Sequence, residues 1–186
     1  MTYGNLPPSG YPASSKWLHW LVAASVLTIV PLGVYLPYAE GSPMQDTLYN
    51  FHKSLGITIL ILMLLRLINR FAVGAPAPEP GLARWQRAVS SAVHGLLYLL
   101  LIVQPIVGYL ANSAFGATTP FFGLFEIPAA LATDQELSGR LFALHNLLGI
   151  SIAILALMHI GAALQHYFIH KDGVLQRMLP QAFGGR

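Results

Sequence analysis

Four long apolar runs, divided by short polar or Pro-rich breaks, dominate the hydropathy pattern of the chain. They predict helices over residues 17–38, 44–71, 88–112 and 138–170. Each is long enough to cross a hydrocarbon layer of about 30 Å, which takes about 20 helical residues. The first run is too long for a signal-peptide core and lacks a small-residue cleavage site, so it is read as a spanning helix. Residues 1 to 15, rich in Pro, Gly, Ser and Tyr, read as an irregular tail. "EGSPMQDTL" reads as a turn with Ser42 as N-cap and Pro43 as first helical residue. "VGAPAPEPG" breaks the second run, and a longer segment with Gly, Pro and acids separates the third from the fourth. The expected fold is all-α: an integral membrane four-helix bundle formed as one domain over residues 1–186.

Composition agrees. The 186 residues are 55% hydrophobic and 9% charged, with mean hydropathy +0.59, against about 25% charged in soluble domains. There is no cysteine, which excludes disulfides, thiolate-held iron–sulfur clusters and covalent haem attachment. Nothing in the chain calls for a nucleic-acid partner. Charge sets the orientation. Lys16, Arg66, Arg70, Arg84, Arg87, Lys171, Arg177 and Arg186 fall on one side of the alternating spans, with Lys53 and Arg140 on the other. The basic excess places that side, and both termini, in the cytoplasm.

The seven histidines carry the candidate chemistry. "HKSLGITILIL" from His52 and "HNLLGISIAIL" from His145 agree at seven of eleven positions. Both open spans that run from outside to inside, which puts His52 and His145 at one outer depth. Fourteen residues further, about 21 Å along a helix, lie Arg66 and His159. Spans one and three repeat a weaker pattern: His19 and His94 toward the inner end, then a proline, then Gly33 or Gly108 fourteen residues after each His. The result is two layers. The outer holds His52, His145 and two glycines; the inner holds His19, His94, His159 and Arg66.

Ionisable groups inside spans mark function. Zinc calls for four ligands and a different donor set. Haem needs two axial ligands and a wide apolar slot, which Gly56 and Gly149, one turn past the outer histidines, are placed to open. Two imidazoles per iron leave no open position and favour electron transfer. His145 and His159 then serve different haems on one helix. The inner partner is either His19 or His94 on spacing alone. Arg66, one turn from Arg70, is placed to pair with a haem propionate, or else to anchor the span by reaching for the interface. Trp17 and Trp20 read as interfacial anchors. His166 and His170 lie near the inner surface.

The stretches "KWLHWL", "FHKSLGITILILMLLRLINR", "HGLLYLLLIVQPIVGYL", "LHNLLGISIAILALMHIGAALQHYF" and "HKDGVLQRMLP" together resemble the bacterial cytochrome b561 family, most closely its small superoxide oxidase branch. The resemblance covers nearly the whole chain. It implies two b-type haems in the inner membrane of a bacterium, one bound by His19 and His159 on the inner side, the other by His52 and His145 on the outer. It further implies oxidation of superoxide at the periplasmic face and reduction of ubiquinone near the inner haem. His94 and His166 become candidates for the quinone site. Lys53, beside His52, and Arg140, five residues before His145, are candidates for steering superoxide. The outer segments as a whole carry Glu40, Asp46, Glu126, Asp134 and Glu136 against those two, a net −3 that does not favour an anion. Two other functions fit the same pattern: an electron-transfer subunit linking quinol to a partner dehydrogenase or hydrogenase, and a non-redox transporter or assembly protein.

Overall fold

The computed structural model describes residues 10–77, 79 and 81–179. The tail up to residue 9, Pro78 and Pro80 of the Pro-rich connection, and Arg186 fall outside that range. Helix α1 spans Ala13–Tyr35 and runs into a 3₁₀ turn at Leu36–Ala39; α2 spans Gln45–Val73, α3 Arg84–Phe115 and α4 Gln135–Gln165, continued by a π-helical turn at His166–His170. All four are long and apolar enough to cross a membrane. α3 outruns its expected span at both ends and each of the others at one end, because polar end residues extend a helix that the bilayer core does not require. α1 starts inside the segment read as irregular. α2 starts later than expected: Met44 occupies the N-cap position, while the Ser42 carbonyl accepts Gln45 N–H and the Gln45 side chain accepts Gly41 N–H. Ser42 is thus part of the preceding turn.

The all-α expectation needs one correction. Residues 119–127 form an antiparallel hairpin, β1 (Thr119–Phe121) with β2 (Phe125–Ile127), in register Thr119↔Ile127 and Phe121↔Phe125. A single hydroxyl seats it on α2: Ser54 Oγ lies 3.0 Å from Pro120 O and accepts Phe122 N–H at 2.9 Å. Phe122 has φ 49°, a left-handed conformation unusual for a non-glycine residue, and the hydrogen bond its N–H donates to Ser54 Oγ holds it there. On the way into the hairpin Gly116, at φ 95°, closes α3 by donating to Ser113 O. On the way out Asp134 caps α4, its Oδ1 accepting Leu137 N–H at 3.0 Å.

The helices pack in chain order, α1 on α2, α2 on α3, and α3 on α4, whereas α1 and α4 share no comparable interface. Much surface is apolar and exposed, including Leu27, Val34, Ile68, Ile150 and Leu157. That is the face a spanning helix turns to lipid. The buried core is small and lies at mid-depth: Val22 and Val26 from α1, Leu55, Ile59 and Met63 from α2, and Ile152 from α4. In α2 and α4 these residues fall between the outer histidine and the inner arginine or histidine, and in α1 between His19 and Gly33.

Candidate functional site

At the outer end His52 and His145 face each other, ring centroids 6.2 Å apart and planes at 71°. Each ring lies against a glycine of the neighbouring helix. A Cβ on Gly33 would stand 3.1 Å from His52 Cε1, and one on Gly108 only 2.7 Å from His145 Cε1. The two glycines thus leave room for the rings, as the sequence pattern indicates. Gly56 and Gly149 do not border the pair; their nearest neighbours are Ile29 and the Gln104 amide. Gln104, which nothing in the residue pattern singles out, clasps His145 at two points. Its carbonyl oxygen lies 3.2 Å from His145 Nδ1, and its side-chain amide donates to His145 O at 2.9 Å. A backbone carbonyl can only accept, so Nδ1 carries the proton and the Nε2 lone pair is left free. His52 Nδ1 is buried without a hydrogen-bond partner among the described residues.

Gly108→Ala is expected to destabilise the bundle. The added methyl meets a ring held by Gln104, and overpacking of this kind costs about 1–3 kcal/mol, against about 1 kcal/mol gained in helix propensity. Gly139→Ala in α4 meets nothing within 4 Å and should gain that propensity alone. Thermal unfolding in detergent checks the pair; a Gly108→Ala protein as stable as Gly139→Ala would show that the ring and α3 part freely.

At the inner end His159 has two imidazole neighbours. His19 lies at 6.1 Å, planes at 76°, and His94 at 5.1 Å, planes at 75°. His19 and His159 are partly buried, while His94 is exposed and lies 3.3 Å from Ser90 Oγ. Arg66 projects into this layer. Its Nη1 is 2.7 Å from His19 Nδ1, its Nε donates to Tyr98 OH at 2.8 Å, and its guanidinium carbon lies 5.3 Å from the Tyr98 ring centre. Arginine only donates, so His19 Nδ1 accepts in this arrangement. Trp20 Nε1–H donates to Met178 O at 3.0 Å. His166 lies outside this layer, its Nδ1 2.6 Å from Asp172 Oδ2 and its ring centre 5.0 Å from that of His170.

The donor set tests which cofactor these pairs fit. Two imidazoles sharing one metal through bonds of about 2 Å, each ring centre roughly 1 Å behind its bonding nitrogen, have centroids about 6 Å apart. His52–His145 and His19–His159 meet that spacing, and His94–His159 falls short of it. No group of three or more His, Cys, Asp or Glu placed to hold a metal ion occurs among the described residues. Paired axial ligands answer to haem better than to a bare ion.

The steering candidates are differently placed. Arg140 is well exposed and ion-paired with Glu136, which spends most of its charge locally. Lys53 is half-buried next to His52, with Glu126 and Asp46 near enough to interact with it. A shallow cleft between α2 and the hairpin, lined in part by Asn50, Phe51, Ser54, Phe122 and Glu126, opens on the same side.

Residues 10–181 match the model of the prokaryotic cytochrome b561 family. The chain belongs to that family. It is 36% identical over 182 residues to cytochrome b561 homolog 2 of Escherichia coli K12, spanning 96% of this chain and 95% of that one. It is 30% identical over 167 residues to the probable superoxide oxidase CybB of Yersinia pestis, covering 90% and 94%. A cytochrome b562 of Cereibacter sphaeroides is 29% identical over 178 residues, covering 91% and 95%. As a cytochrome b561 the chain is a multi-pass bacterial membrane protein that carries electrons and binds b-type haem. That membership sets aside a non-redox transporter or assembly protein.

Proposed function

We propose that the chain is a di-haem b oxidoreductase of the bacterial inner membrane that oxidises superoxide at the periplasmic face and reduces ubiquinone near the cytoplasmic one. The observation that carries this reading is the pair of imidazole couples, at 6.2 and 6.1 Å, set in two layers with an apolar core between them. His52 and His145 would hold the outer haem, His19 and His159 the inner. Haem b, when bound there, would supply a one-electron carrier. Two superoxide ions each lose one electron to give oxygen, and one quinone takes two electrons and two protons from the inner side to give quinol.

The residues divide the work. Gln104 fixes the His145 tautomer and orientation, the role that outer partners of metal-bound imidazoles serve. His19 on a neutral ring cannot both accept from Arg66 at Nδ1 and bind metal at Nε2, because its one proton must sit on one of the two nitrogens. A haem held at His19 Nε2 would therefore require the proton on Nδ1, and Arg66, beside that ring, would be the residue placed to pair with a propionate. His94 and His166 are the quinone-side candidates.

The orientation rests on one shared end. Tyr11 N–H donates to Arg177 O at 3.1 Å, and Asn69 donates to Ser15 Oγ at 2.8 Å. The start of α1, the end of α2 and the C-terminal segment therefore meet, and they bring Lys16, Arg66, Arg70, Lys171 and Arg177 to one side. By the positive-inside rule that side is cytoplasmic, and both termini with it.

A second reading is favoured by the acidic outer segments and the neutralised Arg140: an electron-transfer subunit that exchanges electrons with quinol and a partner dehydrogenase or hydrogenase. Stopped-flow reduction of the purified protein by superoxide, with and without ubiquinone, separates the two. Fast haem reduction with turnover only when quinone is present supports the oxidase; no reduction by superoxide supports the subunit. Lys53→Glu gives the finer test. It reverses the cation next to His52 in the chain, and its slowing of haem reduction should fade as salt shortens the Debye length, about 8 Å at physiological strength. Parental rates at low salt would take Lys53 out of the superoxide path.

A further inference from the structure

Past Gln165 the α4 helix loosens into the π-helical turn His166–His170, an irregularity frequent at functional sites. Lys171 then takes φ 53° and the chain doubles back, Asp172 N–H donating to His166 O at 3.3 Å. The reversal sets Asp172 Oδ2 2.6 Å from His166 Nδ1, while Asp172 Oδ1 accepts Val174 N–H at 3.1 Å. The chain beyond Asp172 is tied down from several sides. Arg177 donates to Ala77 O at 2.6 Å and ion-pairs with Glu79, both side chains about nine-tenths buried. A Cβ on Gly173 would meet the Glu79 carboxylate at 3.1 Å, and Met178 O takes the Trp20 hydrogen bond. Residues 171–179 thus form a strap across the inner end of the bundle, and the strap fixes the carboxylate.

We propose that Asp172 is the positioning residue of a His166–Asp172 pair that delivers a proton to the quinone at the inner end. The proposal rests on the quinone reading above and assigns a partner to its candidate His166. With Nδ1–H held by the carboxylate, Nε2 is the nitrogen left for a ligand, and the carboxylate stabilises the imidazolium. In the step, the Nε2–H bond of protonated His166 breaks as a quinone O–H bond forms. The electrons come from two superoxide ions, and the ring is left neutral with Nδ1–H still on Asp172. Water from the inner side then reprotonates Nε2, and a second transfer from the same nitrogen completes the quinol; the two side chains retain 16% and 25% exposure, enough for contact with the aqueous phase. His166 stands about 10 Å beyond His159 along the helix at 1.5 Å per residue, between the inner histidine layer and the surface.

Asp172→Asn tests this with little disturbance, because asparagine keeps Oδ1 for Val174 N–H. Its amide donates where the carboxylate accepted, which forces the ring proton onto Nε2 and removes the charge that stabilises the imidazolium. The full-length protein, pre-reduced with dithionite, is mixed with a short-chain ubiquinone. Haem reoxidation is followed in ordinary and heavy water. Asp172→Asn should lower kcat for quinone reduction about tenfold or more, within the range general acid catalysis contributes. KM and haem content should hold, and the solvent isotope effect should rise. Asp172→Glu should restore most of the rate, and adding Asp172→Asn to His166→Gln should cost nothing further. A parental rate for Asp172→Asn, or additive losses in the double variant, overturns the pair while the quinone reading stands. Failure of the parent protein to be reoxidised by ubiquinone overturns both.

Discussion

Replacing His145 with alanine is expected to halve the haem-to-chain ratio, and His52→Ala should do the same. The two rings are the only imidazoles at the outer end among the described residues, and each lies in room that a glycine leaves, Gly108 for one and Gly33 for the other. Without the His145 ring, His52 faces a gap with no second nitrogen. The inner pair should stay loaded, because Val22, Val26, Leu55, Ile59, Met63 and Ile152 separate the layers and touch neither variant's lost ligand bond. Pyridine haemochrome quantification against protein reads the ratio. An unchanged ratio in either variant would sink the outer pairing, and complete loss in both would mean that the layers load as one unit.

Much of this arrangement is legible in the chain, for a physical reason. A membrane allows so few ionisable groups that each one stands out, and a helical repeat converts spacing into depth. The fourteen-residue step from His145 to His159, echoed from His52 to Arg66, therefore yields two layers before any packing is known. The glycines at 33 and 108 follow from the same arithmetic. What packing alone decides was hidden. Gln104 reaches His145 through a backbone carbonyl, which leaves no mark on residue type. Asp172 meets His166 only because a π-helical turn and a left-handed Lys171 reverse the chain. The hairpin's strands are three residues each, too short for an alternating pattern to register. Arg66, legible as a charge out of place, gave no sign that His19 would be its partner.

The sharpest separation concerns the two imidazoles beside His159. His19→Ala should halve the haem content, whereas His94→Ala should keep both haems and impair quinone reduction. Spacing along the sequence places His19 and His94 at equal depth, so it cannot rank them. Their distances from His159 can. At 6.1 Å the His19 ring leaves room for one metal between two nitrogens, and at 5.1 Å the His94 ring does not. His94 is also the exposed member of the layer, on α3, which packs directly against α4; His19 reaches His159 from α1, across the side where α1 and α4 share no comparable interface. A flat cofactor needs such an opening, and two helices in close contact cannot provide it. Haem quantification and a redox titration read the outcome together: a single wave for His19→Ala, two waves for His94→Ala. The reverse assignment would make His94 the ligand, move the inner cofactor into the α3–α4 interface, and leave Arg66 as the partner of a histidine that binds no metal.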